Sequence, residues 1–321
     1  MPLVPFNEVY ADAHRQYYAI GQFNVSNLEF TQAVIRTAAE LGSPVILGVS
    51  KDGVKYAGAH NLVAMVKAEA ALVNVPVALH LDHGPSFEMV KECIDAGFTS
   101  IMIDGSHHPL DGNIKVTREV VKYAHRHGVT VEAELGRLGG IEDEINVDAK
   151  DAFLTDPDEA ERFVRESGCD VLAVAVGTSH GAYKFKDEAK LDFDRIKVIK
   201  KRLEIPLVLH GASGVPKELT DKLKQFGGRI ADAKGVPDSA YRKAIECGIN
   251  KINIDTDLRL AFTASVRQTL SETPELFDPR KILGPARDEI ANVIRHKMQL
   301  FGSAGRITVN SSQRPEHAHH A

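Results

Sequence analysis

The feature that most constrains this chain is a series of eight short apolar runs, each closing on a polar or glycine-containing cluster. They are Tyr18–Asn24, Pro44–Ser50, Val75–His83, Ser100–Asp104, Thr130–Gly136, Val171–Gly177, Pro206–Gly211 and Lys251–Thr256. Their spacing, mostly about 25 to 45 residues, is that of strand–helix units and not of hairpins. The stretch Pro76–Leu81 is apolar on both faces, as a strand buried in a parallel sheet must be. Amphipathic stretches fill the intervals. Glu29–Leu41 carries apolar residues at helical spacing and stops at Gly42, while Ser86–Ala96 opens on a capping serine and ends at Gly97. Further helices are predicted over Asn113–His127, Asp156–Ser167, Asp192–Leu203 and Asp257–Leu270.

This alternation predicts an α/β fold, a (β/α)8 TIM barrel. The competing architecture, an open doubly wound sheet, usually carries a GxGxxG turn after its first strand, and none is present. The segment Gly214–Cys247 has room for extra helices between strands seven and eight. The segment Gly136–Asp156, with Gly139-Gly140, suits a mobile loop over the barrel mouth. Residues 1–306 are expected to form a single barrel domain, and the polar tail 307–321 to fray. The histidines of that tail are left out of the site.

Composition narrows the function. Thirty-nine Lys and Arg stand against 44 Asp and Glu, a net charge of -5 with no basic block, so no nucleic-acid or membrane partner is expected. An anionic small molecule would have to be attracted locally, by a metal, a few cations or helix N-termini. The three cysteines, Cys93, Cys169 and Cys247, form no CxxC pair and read as free, buried thiols of a reducing, cytoplasmic compartment. The first residues lack a basic segment followed by an apolar run, so no secretion signal is expected there.

Active sites of such barrels lie at the carboxyl ends of the strands. Here those ends supply Asn24, Ser50, Asp82-His83-Gly84, Asp104, Glu134, His180, His210 and Asn253 to Thr256. Three histidines, His83, His180 and His210, thus close three different strands. Three imidazoles with a fourth position open are the composition of a catalytic zinc site. His80, inside its strand, reads as a structural or ligand-supporting residue. Asp82, next to His83, suits a general acid/base, or else a carboxylate that orients a ligand histidine. Asp104 and Glu134 could hold an alternative metal position or belong to a rim hydrogen-bond network. Glu142 could swing in from its loop or remain a solvated acid. Gly211 to Gly214 and Asn253 to Thr256 lie where these barrels commonly bind phosphate. Lys184, Arg259 and Arg280 add positive charge. No lysine closes a strand and Lys251 opens its run, so Schiff-base chemistry is not expected and a metal must act as the electrophile.

The motifs Leu79-His-Leu-Asp-His-Gly84, Val131-Glu-Ala-Glu-Leu-Gly136, Gly177-Thr-Ser-His-Gly-Ala-Tyr-Lys184, Val208-Leu-His-Gly-Ala-Ser213 and Lys251-Ile-Asn-Ile-Asp-Thr-Asp257 resemble those of class II, metal-dependent fructose-1,6-bisphosphate aldolases. The resemblance runs from about Pro2 to Gly305. It implies that His83, His180 and His210 are the zinc ligands and that Asp82 is the acid/base at the substrate C4 hydroxyl. Asp104 and Glu134 match positions for a displaced or second cation, divalent or monovalent, and Glu142 matches a loop acid used in proton transfer. Ser50, Gly181, Lys184, Gly211, Ser213, Asn253, Asp255 and Thr256 match contacts to dihydroxyacetone phosphate. Arg259 resembles the residue used on the other phosphate, and Arg280 one supplied by a neighbouring subunit, which implies a homodimer or homotetramer. The implied reaction is zinc-dependent, reversible aldol cleavage of D-fructose 1,6-bisphosphate to dihydroxyacetone phosphate and D-glyceraldehyde 3-phosphate, a step of glycolysis and gluconeogenesis. Tagatose-1,6-bisphosphate aldolases share these motifs and are the nearest alternative. A TIM-barrel metallohydrolase, which has no need of phosphate loops, and a catalytically inert barrel are more distant ones.

Overall fold

The computed structural model describes residues 3–142, 145–147, 152–180, 190–230 and 234–308. Eight parallel strands close into a barrel: β1 (Ile20–Asn24), β2 (Val45–Ser50), β3 (Val77–Gly84), β4 (Ser100–Ile103), β5 (Thr130–Leu135), β6 (Val171–Val174), β7 (Leu207–Leu209) and β8 (Ile249–Ile254). Each pairs with its neighbours in chain order, and β1 pairs with β8 to shut the ring, Gln22 opposite Asn253. The (β/α)8 expectation therefore holds.

Around the barrel run α1 (Phe6–Gln16), α2 (Leu28–Leu41), α3 (Lys51–Ala57), α4 (Ala59–Ala70), α5 (Phe87–Ala96), α6 (Leu110–His125), α7 (Pro157–Ser167), α8 (Phe193–Arg202), α9 (Lys217–Gln225), α10 (Asp238–Cys247), α11 (Thr256–Glu272) and α12 (Pro279–Phe301). The extra helices expected between the last two strands are α9 and α10. Local chemistry explains the ends. Asn27, Ser86 and Asp156 cap α2, α5 and α7 by accepting from first-turn amides. Gly42, Gly97 and Gly168 end the same helices in the left-handed region, where a residue without Cβ is favoured.

Two apolar clusters hold the molecule together. The larger joins the outward faces of the strands to the helices. The smaller fills the barrel itself, where Ile20, Ile46, Ala78, Val171, Ala173 and Val208 meet Phe6, Val9, Tyr10 and Ala13 of α1. Helix α1, outside the expected series, thus packs into the amino-terminal end of the barrel. The interior is apolar at that end and polar above it, so the polar residues face the opposite mouth.

One expectation changes and one gains detail. The segment read as a mobile loop over the mouth contains the short strands Gly139–Glu142 and Ile145–Val147, which pair antiparallel, and the first of them pairs in parallel with Ser179–His180. Backbone pairing, which glycine content alone does not reveal, organises it. Lys251 does not open its strand: β8 begins two residues earlier, at Ile249. Lys251 is consequently fully buried inside the barrel.

Candidate active site

The mouth is built around Asp82 and His83 at the end of β3. Strand alternation turns His80 and Asp82 into the barrel and would turn His83 outward. His83 instead has φ of 50°, in the left-handed region, and the β3–β4 register shifts between Leu81 and Gly84. That kink places two consecutive functional side chains at the mouth, and such strained non-glycine residues concentrate at functional sites. Gly84 completes it, because a Cβ there would stand 2.5 Å from the Met102 carbonyl oxygen.

Asp82 is buried and clamped from both sides. Asn24 Nδ2 donates to Oδ2 at 2.8 Å and Asn253 Nδ2 to Oδ1 at 3.2 Å. Gln22 Nε2 in turn donates to Asn24 Oδ1 at 3.0 Å. The carboxylate therefore has a fixed orientation.

His83 and His210 face each other, with Nε2 of the first 2.8 Å from Nδ1 of the second and their rings at 85°. Each imidazole is held from behind by a carboxylate. His83 Nδ1 lies 2.8 Å from Asp104 Oδ2 and 3.9 Å from Glu134 Oε2. His210 Nε2 lies 2.7 Å from Glu132 Oε1, and Lys251 Nζ donates to the other oxygen of that carboxylate at 2.6 Å. Burial opposes protonation of His83, but the Asp104 hydrogen bond and the charges of Asp82, Asp104 and Glu134 raise it to about 10. Burial also pushes the Glu134 carboxyl well up, helped by the Asp104 charge, and Glu134 Oε2 has no hydrogen-bond partner among the described residues.

The potential ligand atoms of Asp82, His83 and His210 all lie within 4.8 Å of one another, as do those of His83, Asp104 and Glu134. Imidazole and carboxylate donors gathered so closely, with a buried carboxylate oxygen left unsatisfied, fit a divalent cation. The backbone that carries His180 runs beside Gly211, which at φ of 58° lies so close to Ser179 that a Cβ would stand 2.7 Å from the Ser179 carbonyl carbon and oxygen. The side chains of His180 and Glu142, and Gly181 and Lys184 entirely, lie outside the described residues.

The remaining predicted residues divide. Ser213, Asn253, Asp255 and Thr256 are buried at the ends of β7 and β8, next to Gly211. The Asp255 amide donates to Ser213 Oγ at 3.2 Å. The amides of Ala212 and Ser213 donate to no other described residue, although both residues are almost fully buried. Thr256 starts the 17-residue α11, whose first amides have no intrahelical acceptor. Ser50, the cap of α3, lines a cavity of about 290 Å3 with Asn24, Tyr56, Asp255 and Arg259. Arg259 Nε lies 2.8 Å from Asp255 Oδ1, and its Nη2 lies 2.7 Å from Oδ2. Arg280 does not line that cavity: its side chain is 88% exposed at the start of α12 and forks onto Asp278.

Sequence reading missed Glu132, Lys251 and Gln22 as parts of this constellation, and placed Asn24 at a strand end without giving it a role. The available signal was parity. Glu132 is two residues before Glu134, Lys251 two before Asn253, and Gln22 two before Asn24, so each shares an inward face with a strand-end residue.

A parallel barrel with histidines and carboxylates converging at its carboxyl mouth defines a barrel enzyme equipped for divalent metal. Comparison with known proteins specifies which. The family model "Fructose-bisphosphate aldolase class-II" matches residues 4–306. A fructose-bisphosphate aldolase of Thermus caldophilus is 52% identical over 304 residues, covering 95% of this chain and 99% of that one. One from Helicobacter pylori is 49% identical, covering 95% and 100%. The solved structure of the YdjI aldolase of Escherichia coli K12 superposes with a TM-score of 0.77 at 32% identity, covering 95% and 100%. The chain belongs to the class II fructose-bisphosphate aldolase family, a metal-dependent family of lyases.

Proposed function

We propose that this protein catalyses the reversible aldol cleavage of D-fructose 1,6-bisphosphate to dihydroxyacetone phosphate and D-glyceraldehyde 3-phosphate, with zinc held by His83, His180 and His210. The observation that carries the proposal is the juxtaposition of a clamped carboxylate, Asp82, with two imidazole nitrogens 2.8 Å apart. The bound metal would supply Lewis-acid polarisation of the substrate oxygens. Asp104 and Glu134, grouped with His83, would take a displaced or second cation.

The chain's own residues account for the rest. Asp82, held by Asn24 and Asn253, is placed to take the C4 hydroxyl proton as the C3–C4 bond breaks. The amides of Ala212 and Ser213, which donate to no other described residue, and the N-terminus of α11 would form a cradle for the phosphate of the dihydroxyacetone half, with Ser213 and Thr256 beside them. Arg259 lines a cavity suited to the second phosphate, and Ser50, matched by family likeness to the dihydroxyacetone half, lines the same cavity. By family likeness Gly181 and Lys184 would join the first phosphate, and Glu142 would return a proton to the three-carbon fragment. Arg280, exposed on its own subunit, would reach the second phosphate of a neighbour in a homodimer or homotetramer. Three free, buried cysteines suit a cytoplasmic enzyme, and among the described residues no helix is long and apolar enough to cross a membrane.

The test is a coupled assay on fructose and tagatose bisphosphates side by side, with and without chelator. Chelation should abolish cleavage and added zinc should restore it, with fructose bisphosphate the preferred substrate. Borohydride in the presence of substrate should leave the enzyme active, and covalent trapping would refute the metal mechanism. Asp82→Ala should lose roughly 100- to 10,000-fold in turnover with its metal retained. Preference for the tagatose isomer would overturn the substrate assignment alone.

A further inference from the structure

The loop after β7 rests on a buried charged assembly that no strand-end residue belongs to. Asp257, in the first turn of α11, is fully buried. Its carboxylate accepts from two consecutive loop amides, Gly214 N–H to Oδ2 at 2.9 Å and Val215 N–H to Oδ1 at 2.8 Å. Behind it stands Lys297 of α12, 2% exposed, with Nζ 3.5 Å from Asp257 Oδ2. Lys297 Nζ also donates to the Tyr241 hydroxyl at 3.3 Å and lies 4.5 Å from the centre of that ring. Tyr241 passes the chain back to the loop, its hydroxyl donating to the Ala212 carbonyl at 2.5 Å. Burial and the charges of Asp257 and Asp238 push the phenol well above its ordinary range, so it remains a donor.

This assembly has a conformational purpose. Val215 has φ of 48°, a strained geometry for a β-branched residue. It persists where surrounding contacts over-determine it, and here two charge-assisted hydrogen bonds to one carboxylate do so. The Gly214 and Val215 amides are held from below and the Ala212 carbonyl from the side, while the Ala212 and Ser213 amides have no acceptor among the described residues. We infer that Asp257, Lys297 and Tyr241 are positioning residues that preform the phosphate cradle of the 211–215 loop, so that its donors are aimed before the ligand arrives. The inference rests on the reading of that loop as the phosphate site.

The experiment uses metal-loaded enzyme and two probes, fructose bisphosphate and inorganic phosphate. In the wild type, phosphate should inhibit competitively and slow amide exchange in the peptide spanning residues 211–215. Asp257→Asn and Lys297→Met should raise KM and the phosphate inhibition constant together by roughly tenfold, the scale of one lost charge-assisted hydrogen bond. Their kcat should stay within about threefold, their metal content should be unchanged, and Gly214 and Val215 should exchange faster. Tyr241→Phe removes a single oxygen, keeps the aromatic packing, and should give a smaller rise of the same kind. If the buried-charge variants fail to fold, Tyr241→Phe alone decides. Lower kcat or a smaller active fraction with KM and phosphate inhibition unmoved would overturn the inference and leave the phosphate site standing. Absence of both phosphate inhibition and protection in the wild type would overturn the phosphate reading itself, and the inference with it.

Discussion

Lys251 Nζ, the Glu132 carboxylate and His210 Nε2 form a line of contacts at 2.6 and 2.7 Å, and Lys251 and Glu132 are fully buried. His80 lies beside it, its Nε2 3.8 Å from Glu132 Oε2 and its ring stacked on Phe6 at 4.6 Å. In the proposed metal site, the carboxylate behind the His210 imidazole would fix the ring and its tautomer, leaving Nδ1 to ligate the metal. Glu132→Gln keeps the size and weakens that grip. Metal affinity should fall by about 10- to 100-fold, read by competition against a coloured chelator. Affinity equal to wild type would show that His210 needs no such support. Glu132 was illegible to a reading of strand ends because it lies one layer below the mouth, where apolar side chains are the usual filling. Lys251 was misplaced for a related reason: the polar Asn250 and Lys251 hide the start of β8, and only the closed barrel shows both between buried neighbours.

At the scale of elements, strands and helix ends were legible and irregular backbone was not. Ser86, Asp156, Gly42 and Gly97 act through local hydrogen bonding and local φ, so sequence alone announces them. The kink at His83 depends on the shifted pairing of β3 with β4, a contact between segments, and no local signal marks it. The pairing of Gly139–Glu142 with Ser179–His180 has the same origin. Gly211 shows how an element's ends are tuned to the site, because its missing side chain lets β7 close on the segment that carries His180. Gly211→Ala would combine left-handed strain of about 1–2 kcal/mol with a Cβ driven into the Ser179 backbone. A loss of at least roughly 2 kcal/mol is expected, lowering Tm by several degrees. An unchanged melting curve would mean that the Ser179 segment yields freely and that the close approach is unimportant.

For the whole molecule, the barrel is packed at one end and chemically equipped at the other. Helix α1 puts Phe6, Val9, Tyr10 and Ala13 into the amino-terminal end, and Asp82, His83 and His210 gather at the carboxyl end. This polarity lets most of the chain serve as an inert frame, and the cysteines report on it. Cys93 in α5, Cys169 before β6 and Cys247 at the end of α10 are all free and buried, far apart in the chain. Burial pushes the Cys93 and Cys169 thiols up to about 12, and raises Cys247 too. Only the thiolate is nucleophilic, so at pH 8 roughly one Cys93 or Cys169 in 10,000 is reactive even before access is considered. The folded protein should therefore leave Cys93 and Cys169 unmodified by an aromatic disulfide reagent over hours, with Cys247 slow, whereas denaturant should expose all three at once. Raising the pH towards 10 should speed the native reaction only in proportion to the thiolate fraction. Rapid native labelling of Cys93 or Cys169, located by peptide mapping, would show that the helical layer opens locally without global unfolding. The frame would then be less rigid than its packing implies, because modification of a buried thiol must wait for the state that exposes it.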